Sequence, residues 1–207
     1  MTKIKICGLT REEDIKSVNL WLPDYIGFVF CKSRRQIDPN QAGKLKKLLD
    51  ERIRAAGVFV NAPLDFIERL FYDGIIDIVQ LHGDESPVYI SKLKSRIPCP
   101  VIKAVRVKNA DQILKYEKFP CDILLLDAYV EGFYGGSGKT FDHSVVPKLN
   151  KEFFIAGGLN MENIERTIKM LEPCGVDISS GVETNGIKDD DKISKIVRMI
   201  RSLDKKA

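Results

Sequence analysis

The sequence has little histidine, little net charge and no long apolar run. Its 207 residues include two histidines, and 33 lysines and arginines nearly balance 29 aspartates and glutamates, for a net charge of +4. So few histidines exclude a histidine-rich metal site or a multi-histidine relay, and no basic run stands apart from acidic residues, which makes nucleic acid an unlikely partner. No apolar stretch approaches the ~20 residues of a membrane span, and Met1 leads into Lys3 to Cys7 without a signal-peptide core. We therefore expect a soluble cytoplasmic protein that binds neither nucleic acid nor membrane.

The five cysteines do not form a disulfide or zinc pattern. They are Cys7, Cys31, Cys99, Cys121 and Cys174, an odd number with no C-x-x-C pair and no histidine at zinc spacing. We expect neither a disulfide scaffold nor a structural metal.

Short apolar segments recur at intervals of twenty to thirty residues. They are rich in Ile, Val, Leu and Phe and show little alternation of polarity, as expected of parallel strands covered on both faces. Eight strands are predicted, at residues 3–7, 25–30, 55–60, 76–81, 101–107, 122–127, 153–156 and 176–179.

Amphipathic stretches separate the predicted strands. Thr10-x-x-Glu13 suggests a capping box, and Asp38-Pro39 combines a helix cap with a first-turn proline. The sixth connection contains Pro147, so we expect its helix to be short or irregular. Eight strands alternating with helices predict a single α/β domain over residues 1–207, a (β/α)8 TIM barrel. The alternative is an open doubly wound sheet, for which six strands would suffice.

The residues that follow the predicted strands are unusually polar. In a barrel the active site lies at the carboxyl ends of the strands. Those ends carry Cys7-Gly8, the segment 31–35, His82-Gly83, Asp127, Gly157-Gly158 and Ser179-Ser180-Gly181. Because side chains alternate along a strand, Lys5 and Cys7 should both face the barrel axis while Ile4 and Ile6 face the helices. A charged Lys5 below Cys7 would favour the thiolate.

Glycines end the seventh and eighth strands. Backbone amides at Gly157-Gly158 and Ser180-Gly181 would form a phosphate site of the kind this fold uses. The segment 135–140, Gly-Gly-Ser-Gly-Lys-Thr, is not a P-loop, because Phe133 stands where that motif requires glycine. We expect it to be a mobile loop over the mouth of the barrel, with Lys139 attracting an anion.

Taken together, these motifs resemble the phosphoribosylanthranilate isomerase family of tryptophan biosynthesis. The matching segments lie in order along nearly the whole chain: 5–10 (KICGLT), 27–30 with 33–35, 57–61 (GVFVN), 79–83 (VQLHG), 124–127 (LLLD), 135–142, 156–160 (AGGLN) and 176–183 (VDISSGVE). One departure is His143, which stands where the family commonly has tryptophan.

The resemblance implies a cofactor-free Amadori rearrangement of N-(5-phosphoribosyl)anthranilate by a monomer or homodimer. Asp127 would be the general acid that opens the ribose ring, and Cys7 the general base that removes the C2 proton. Arg35 would meet the anthranilate carboxylate. Asp177 would contact the ribose hydroxyls or hold its loop, and His82 would line the pocket. The full set of expected substrate-binding residues is Arg35, His82, Gly136, Gly157, Gly158, Asp177, Ser180 and Gly181.

Two other functions remain open from the sequence. The isomerase of histidine biosynthesis performs the same rearrangement, but it typically has aspartate at the position of Cys7 and a second phosphate site on the opposite strands. Here the third and fourth strands are followed by Asn61-Ala62 and His82-Gly83, without a second glycine pair. A non-catalytic phosphate-binding module would leave Cys7 and Asp127 replaceable.

Overall fold

The computed structural model describes residues 1–128 and 143–205. Eight parallel strands form a closed barrel, in which each strand pairs with the next and β8 pairs with β1. The strands are β1 (Lys3–Cys7), β2 (Tyr25–Val29), β3 (Arg54–Phe59), β4 (Ile78–Leu81), β5 (Val101–Val107), β6 (Ile123–Ala128), β7 (Phe153–Ile155) and β8 (Gly175–Ile178). The predicted TIM barrel is confirmed, and closure of the sheet excludes the doubly wound alternative.

In the part of the chain that the structure describes, seven α-helices connect the strands or follow the last one. They are α1 (Glu12–Trp21), α2 (Pro39–Leu48), α3 (Leu64–Tyr72), α4 (Pro87–Arg96), α5 (Ala110–Glu117), α6 (Ile164–Leu171) and α7 (Asp190–Asp204). In the described part of the connection between β6 and β7, residues 143–152, the helical structure is a single 3-10 turn at His143–Val145, which agrees with the predicted irregular sixth helix. A two-stranded hairpin, β9 (Glu183–Thr184) and β10 (Ile187–Lys188), precedes α7.

The helix starts show one correct and one wrong prediction. Asp38 caps α2 as expected, since its Oδ1 accepts hydrogen bonds from the backbone of the second and third helical residues. The capping box at Thr10 is wrong. Asp14 instead accepts the backbone N–H groups of Thr10 and Arg11 at 2.9 and 3.1 Å, so that α1 begins at Glu12.

Alternation along the strands divides the core into two layers. Ile4 and Ile6 pack against the helices, in the large cluster between the barrel and its outer layer. The lower barrel interior is filled by a second apolar cluster, Ala56, Ile78, Ile102, Ala104, Leu125, Phe154 and Ala156. The interior is therefore a packed core below, and only its upper layer, near the carboxyl ends of the strands, carries polar side chains. Within the described residues, no helix is long and apolar enough to cross a membrane.

Candidate active site

A cavity at the carboxyl ends of the strands brings together residues that are far apart in the chain. Eight of the predicted site residues line it: Cys7, Arg35, His82, Asp127, Gly157, Gly158, Asp177 and Ser180. Gly181 lies in the 3-10 turn that follows β8, directly after Ser180. Gly136 and Lys139 lie outside the described residues.

Cavity size does not identify the site. A cavity of about 820 Å³ opens at the amino-terminal end of the barrel, near Lys3, Tyr25 and Cys174, whereas the cavity at the carboxyl end measures about 100 Å³. Reactive groups of this fold lie at the carboxyl ends of the strands. There a thiol, a carboxyl group, an imidazole and a guanidinium line one cavity, so chemistry rather than volume selects this end.

Cys7 ends β1 with its side chain in the cavity wall, where it is 9% exposed. Gly27 on β2 makes room for it, because a Cβ there would lie 2.6 Å from the Cys7 Sγ and 3.1 Å from the Lys5 Nζ. Burial raises the pKa of the Cys7 thiol; the charge of Lys5 opposes this effect and that of Asp177 adds to it. Lys5 favours the thiolate, as expected, but desolvation outweighs the nearby cation, so the pKa of Cys7 stays above its ordinary value.

Lys5 is fully buried and pairs with Asp177 from β8. Its Nζ lies 3.0 and 2.9 Å from the two carboxylate oxygens, and the two side chains are 0 and 7% exposed. Burial acts to lower the pKa of Lys5, but the Asp177 carboxylate and the Cys7 thiol outweigh it, so the pKa lies above its ordinary value. Lys5 is therefore charged at neutral pH, and the Asp177 carboxylate offsets much of its positive charge. This pairing adds to the effect of burial, which is the main reason why the pKa of Cys7 lies above its ordinary value.

Asp127 lies on β6 and is hydrogen-bonded on both carboxylate oxygens. Oδ1 accepts the N–H of Ala128 at 2.8 Å, and Oδ2 lies 3.2 Å from the Nε2 of His82. The amide nitrogen of Gln80 lies 3.2 Å from the other ring nitrogen of His82. With that amide donating, Nδ1 accepts and Nε2 carries the hydrogen that Asp127 accepts. His82, which we expected to line the pocket, therefore also orients the carboxyl group.

The Gly157 backbone lies directly against Asp127. Its φ is +89°, in the left-handed region, and a Cβ there would come within 2.9 Å of the Asp127 Oδ1 and 2.8 Å of Ala128. Glycine at this position lets the segment after β7 approach the carboxyl group closely. Any larger residue would push this segment away from Asp127.

The two glycine segments predicted to bind phosphate touch one another. A Cβ on Gly181 would lie 1.8 Å from the carbonyl oxygen of Leu159, so the turns after β7 and β8 are in backbone contact. The Asn163 side chain donates to the Gly158 carbonyl at 3.0 Å and fixes the first of these turns ahead of α6. The predicted segments are thus adjacent and held in place, as a shared anion site would require.

Arg35 reaches the cavity from the segment after β2. Its Nε and Nη2 donate to the two carboxylate oxygens of Glu183, at 2.6 and 2.8 Å, in the bidentate geometry that a guanidinium favours. Gly8 is needed beside it, because a Cβ on Gly8 would lie 2.3 Å from the Arg35 Cδ. Arg35 is therefore not a solvated surface arginine, but its partner in this structure is a protein carboxylate.

Sequence reasoning assigned no role to Glu183 and did not notice Lys188. The Lys188 Nζ lies 2.5 Å from the Glu183 Oε1, and both side chains belong to the β9–β10 hairpin. Asn185 and Gly186 form its turn with φ of 54° and 79°. An Asn-Gly pair between short strands is a strong hairpin signal, and it could have located both residues.

No group of three or more histidine, cysteine, aspartate or glutamate side chains within the described residues could hold a metal ion. The hydrogen-bonding and ionisable groups of the cavity are instead arranged as two separate sets. Cys7 stands beside buried cations, and Asp127 stands beside the His82 imidazole and a backbone N–H. Such an arrangement suits proton transfer to and from an anionic ligand.

Comparison with known proteins identifies one family consistently. The family model described as N-(5'-phosphoribosyl)anthranilate isomerase matches residues 4–199. A curated protein of that name from Endomicrobium trichonymphae is 52% identical over 203 residues, which cover 98% of this chain and 100% of the relative. The phosphoribosyl anthranilate isomerase of Thermus thermophilus has a similar structure, with a TM-score of 0.86, 29% identity and coverage of 98% and 100%. A further isomerase structure, in complex with reduced 1-(o-carboxyphenylamino)-1-deoxyribulose 5-phosphate, has a TM-score of 0.80, 33% identity and the same coverage.

Proposed function

The chain belongs to the N-(5'-phosphoribosyl)anthranilate isomerase family, and we propose that Cys7 and Asp127 are the base and the acid of its reaction. The protein is the isomerase of tryptophan biosynthesis that converts an aminoaldose phosphate into the corresponding aminoketose. This reaction opens a sugar ring and moves a proton from C2, so it needs one group that gives a proton and another that takes one. The observation that carries the assignment is that both side chains line the same cavity, from β1 and β6.

The acid step comes first in this proposal. Protonated Asp127 gives its proton to the ribose ring oxygen, the C1–O bond breaks, and the nitrogen lone pair forms a cationic Schiff base at C1. His82 and the Ala128 N–H hold the carboxyl group in one orientation through this step. Removal of the C2 proton by Cys7 then gives an enolamine, which tautomerises to the ketone.

This order of steps suits the electrostatics of the thiol. Burial raises the pKa of Cys7, so its thiolate is not the favoured form before reaction. Ring opening creates a positive charge next to C2, which favours the thiolate and also acidifies the C2 proton. Lys5, fully charged and buried below Cys7, acts in the same direction. The base is therefore needed only after the acid has acted, when the thiolate is better stabilised.

Binding in this proposal uses the two ends of the substrate. The phosphate lies against Gly157, Gly158, Ser180 and Gly181, where the turns after β7 and β8 meet. Arg35 binds the anthranilate carboxylate. Asp177 holds Lys5 and borders the ribose, and Gly136, outside the described residues, remains a further candidate for substrate binding.

Three broader expectations are also proposals. We propose that residues 1–207 act as one catalytic domain, that the enzyme works in the cytoplasm, where a catalytic thiol stays reduced, and that it is a monomer or a homodimer. The five cysteines are free in the structure, as a reduced protein requires.

The assignment is tested by following the loss of anthranilate fluorescence from freshly made substrate. Cys7→Ser and Asp127→Asn should each lower kcat/KM by at least ~100-fold, because a positioned acid or base contributes ~10²–10⁴-fold. Cys121→Ser is the matched control, since this cysteine precedes β6 at the opposite end of the barrel and should retain activity. A fully active Cys7→Ser enzyme would remove the thiol from the mechanism.

A further inference from the structure

Arg35 is a weak attractor of anions as long as Glu183 is its only neighbour. The guanidinium and the carboxylate form a bidentate pair, with side chains 13 and 6% exposed. Such a pair carries no net charge, so a substrate carboxylate approaching Arg35 would meet the Glu183 carboxylate at nearly the same distance. The cost of desolvating the substrate carboxylate would then not be offset by attraction to the neutral Arg35–Glu183 pair. A second cation is needed for this site to favour an anion.

Lys188 supplies that cation from behind Glu183. Its side chain is 2% exposed and does not line the cavity, and its Nζ lies 2.5 Å from the Glu183 Oε1. The same nitrogen donates to the Ser179 carbonyl at 3.0 Å and lies 3.3 Å from the Ser179 Oγ. Three acceptors around one nitrogen match the three donors of an ammonium group. Two cations and one carboxylate leave a net positive charge, and Arg35 is the member of the group that borders the cavity.

The hairpin holds this lysine firmly. The Lys188 carbonyl accepts the Arg11 Nη2 at 3.2 Å, and the Glu183 carbonyl accepts the Lys192 Nζ at 2.7 Å. Thr184 Oγ1 donates to Asp189 at 2.6 Å across the end of the hairpin. The charge is therefore fixed in place before any ligand binds, and little ordering is required on binding.

We propose that Lys188 is a specificity-determining residue, whose buried charge offsets Glu183 and so enables Arg35 to bind the carboxylate of the substrate. The inference rests on the proposed function in one respect, the role of Arg35. In this proposal Glu183 orients the Arg35 guanidinium, and Lys188 offsets the negative charge of Glu183. Lys188 acts through its neighbours and does not touch the substrate.

A pair of ligands isolates the carboxylate from the rest of the substrate. Reduced 1-(o-carboxyphenylamino)-1-deoxyribulose 5-phosphate and its phenylamino counterpart differ only in the ring carboxyl group, and neither requires turnover. Lys188→Met should raise the Kd of the carboxylated ligand about 10-fold, while the Kd of the other ligand changes less than ~2-fold. Lys169→Met removes the same charge from an exposed pair on α6 and should change neither Kd.

Charge-restoring variants distinguish electrostatics from a merely structural role. Glu183→Gln/Lys188→Met leaves Arg35 as the single charge of the group and should recover the preference for the carboxylated ligand to within ~3-fold of wild type. Glu183→Gln alone should bind that ligand at least as tightly as wild type, and this variant keeps the test decisive if Lys188→Met fails to fold. Equal weakening of both ligands by Lys188→Met, no weakening of either, or no recovery in the double variant would each overturn the proposal.

Arg35→Ala separates failure of this inference from failure of the proposed function. If Arg35→Ala abolishes the preference and Lys188→Met keeps it, only the role of Lys188 is wrong. If Arg35→Ala still prefers the carboxylated ligand over its phenylamino counterpart, the assignment of Arg35 is wrong, and the role proposed for Lys188 is then wrong as well.

Discussion

On the described barrel strands, two buried lysines pair with carboxylates, and they face opposite sides of the sheet. Lys5 on β1 faces the barrel axis and pairs with Asp177, while Lys103 on β5 faces the helices and pairs with Glu85 at 2.9 Å. The side chains are 0 and 7% exposed in the first pair and 0 and 1% exposed in the second. The chemical groups are alike, so any difference in role must come from their surroundings.

Apart from the ion pair itself, Lys103 and Glu85 form hydrogen bonds with backbone groups of neighbouring segments. Lys103 donates to the carbonyls of Leu81 and Gly83, and Glu85 accepts the N–H groups of Asn61 and Gly83. The pair thus fastens the segment after β4 to the segment after β3. Burial lowers the pKa of Lys103, and the Glu85 carboxylate opposes that effect without overcoming it.

The Lys5 pair differs because it borders the cavity. Asp177 and Cys7 both line that cavity, and Lys5, which lies on β1 with Cys7 and beside Asp177 of β8, has a raised pKa. A buried ion pair whose hydrogen bonds all end on the backbone stabilises the fold. A buried ion pair whose carboxylate lines a cavity, next to a thiol, can also shift the pKa of that thiol. The surroundings of the two lysines therefore separate a structural role from a functional one.

The largest effect is expected on stability from breaking the Lys103 pair. Lys103→Met leaves the Glu85 carboxylate unpaired in a sealed site, which typically costs about 3–5 kcal/mol. Urea unfolding monitored by circular dichroism should show this loss, while kcat/KM of the folded protein changes less than ~5-fold. A loss of activity much larger than this, with stability unchanged, would reverse the roles we assign to the two pairs.

The pH dependence of stability provides a check on this prediction. Because the folded pKa of Lys103 is lowered, the unfolded chain binds its proton more readily, and stability rises between that lowered value and the ordinary 10.5. For Lys5 the folded pKa is raised, so its contribution is fully present below 10.5 and is lost only above it. Lys103→Met should therefore flatten the rise of stability towards alkaline pH, and Lys5→Met should not.

The sequence predicted the orientation of Lys5, but it predicted neither the pairing of Lys5 with Asp177 nor that of Lys103 with Glu85. Parity along β1 placed Lys5 and Cys7 inward, and the eight strands were found because apolar runs mark a sheet covered on both faces. Lys103 carries no comparable signal, since it interrupts an apolar strand, and its partner Glu85 lies in a connecting segment. Pairings of this kind depend on how the segments fold over the barrel, which periodicity does not encode.

Breaking the Lys5 pair should affect chemistry more than stability. In Lys5→Met the Asp177 carboxylate can be solvated from the cavity, so the loss of stability should be about 1–3 kcal/mol. The pKa of Cys7 should rise further, because Lys5 opposes the effect of burial, and kcat/KM should fall about 10–100-fold. Alkylation of Cys7 by iodoacetamide, followed by peptide mass spectrometry across pH, measures the thiol directly.

A second variant separates the lysine from its partner. Asp177 raises the pKa of Cys7, so Lys5→Met/Asp177→Asn should bring the alkylation midpoint part of the way back. If the midpoint is the same in wild type and Lys5→Met, the lysine has no effect on the thiol and its role is structural, like that of Lys103.

The positions of the proposed acid and base were easier to predict than their environment. Strand ends and motif order placed Cys7 and Asp127 in one cavity. The charge of Lys5 lowers the pKa of Cys7, as expected, but a sequence does not reveal that Asp177 would share that charge or how far burial would raise the pKa of the thiol. The sequence likewise assigned no role to Glu183, and the structure shows that it accepts hydrogen bonds from the Arg35 guanidinium.

The smallest effect is expected where an ion pair is exposed. Glu165 and Lys169 lie at i and i+4 on α6, with the Lys169 Nζ 2.6 Å from the Glu165 Oε1. This distance is as short as those of the buried pairs, but the side chains of Lys169 and Glu165 are 66 and 48% exposed. Water already solvates both charges, so Lys169→Met should change the free energy of unfolding by less than about 0.5 kcal/mol and leave kcat/KM within error of wild type. Urea unfolding at low and high salt measures this, since an exposed pair is screened by salt. A loss comparable to that of Lys103→Met would mean that distance, and not burial, decides the strength of these pairs.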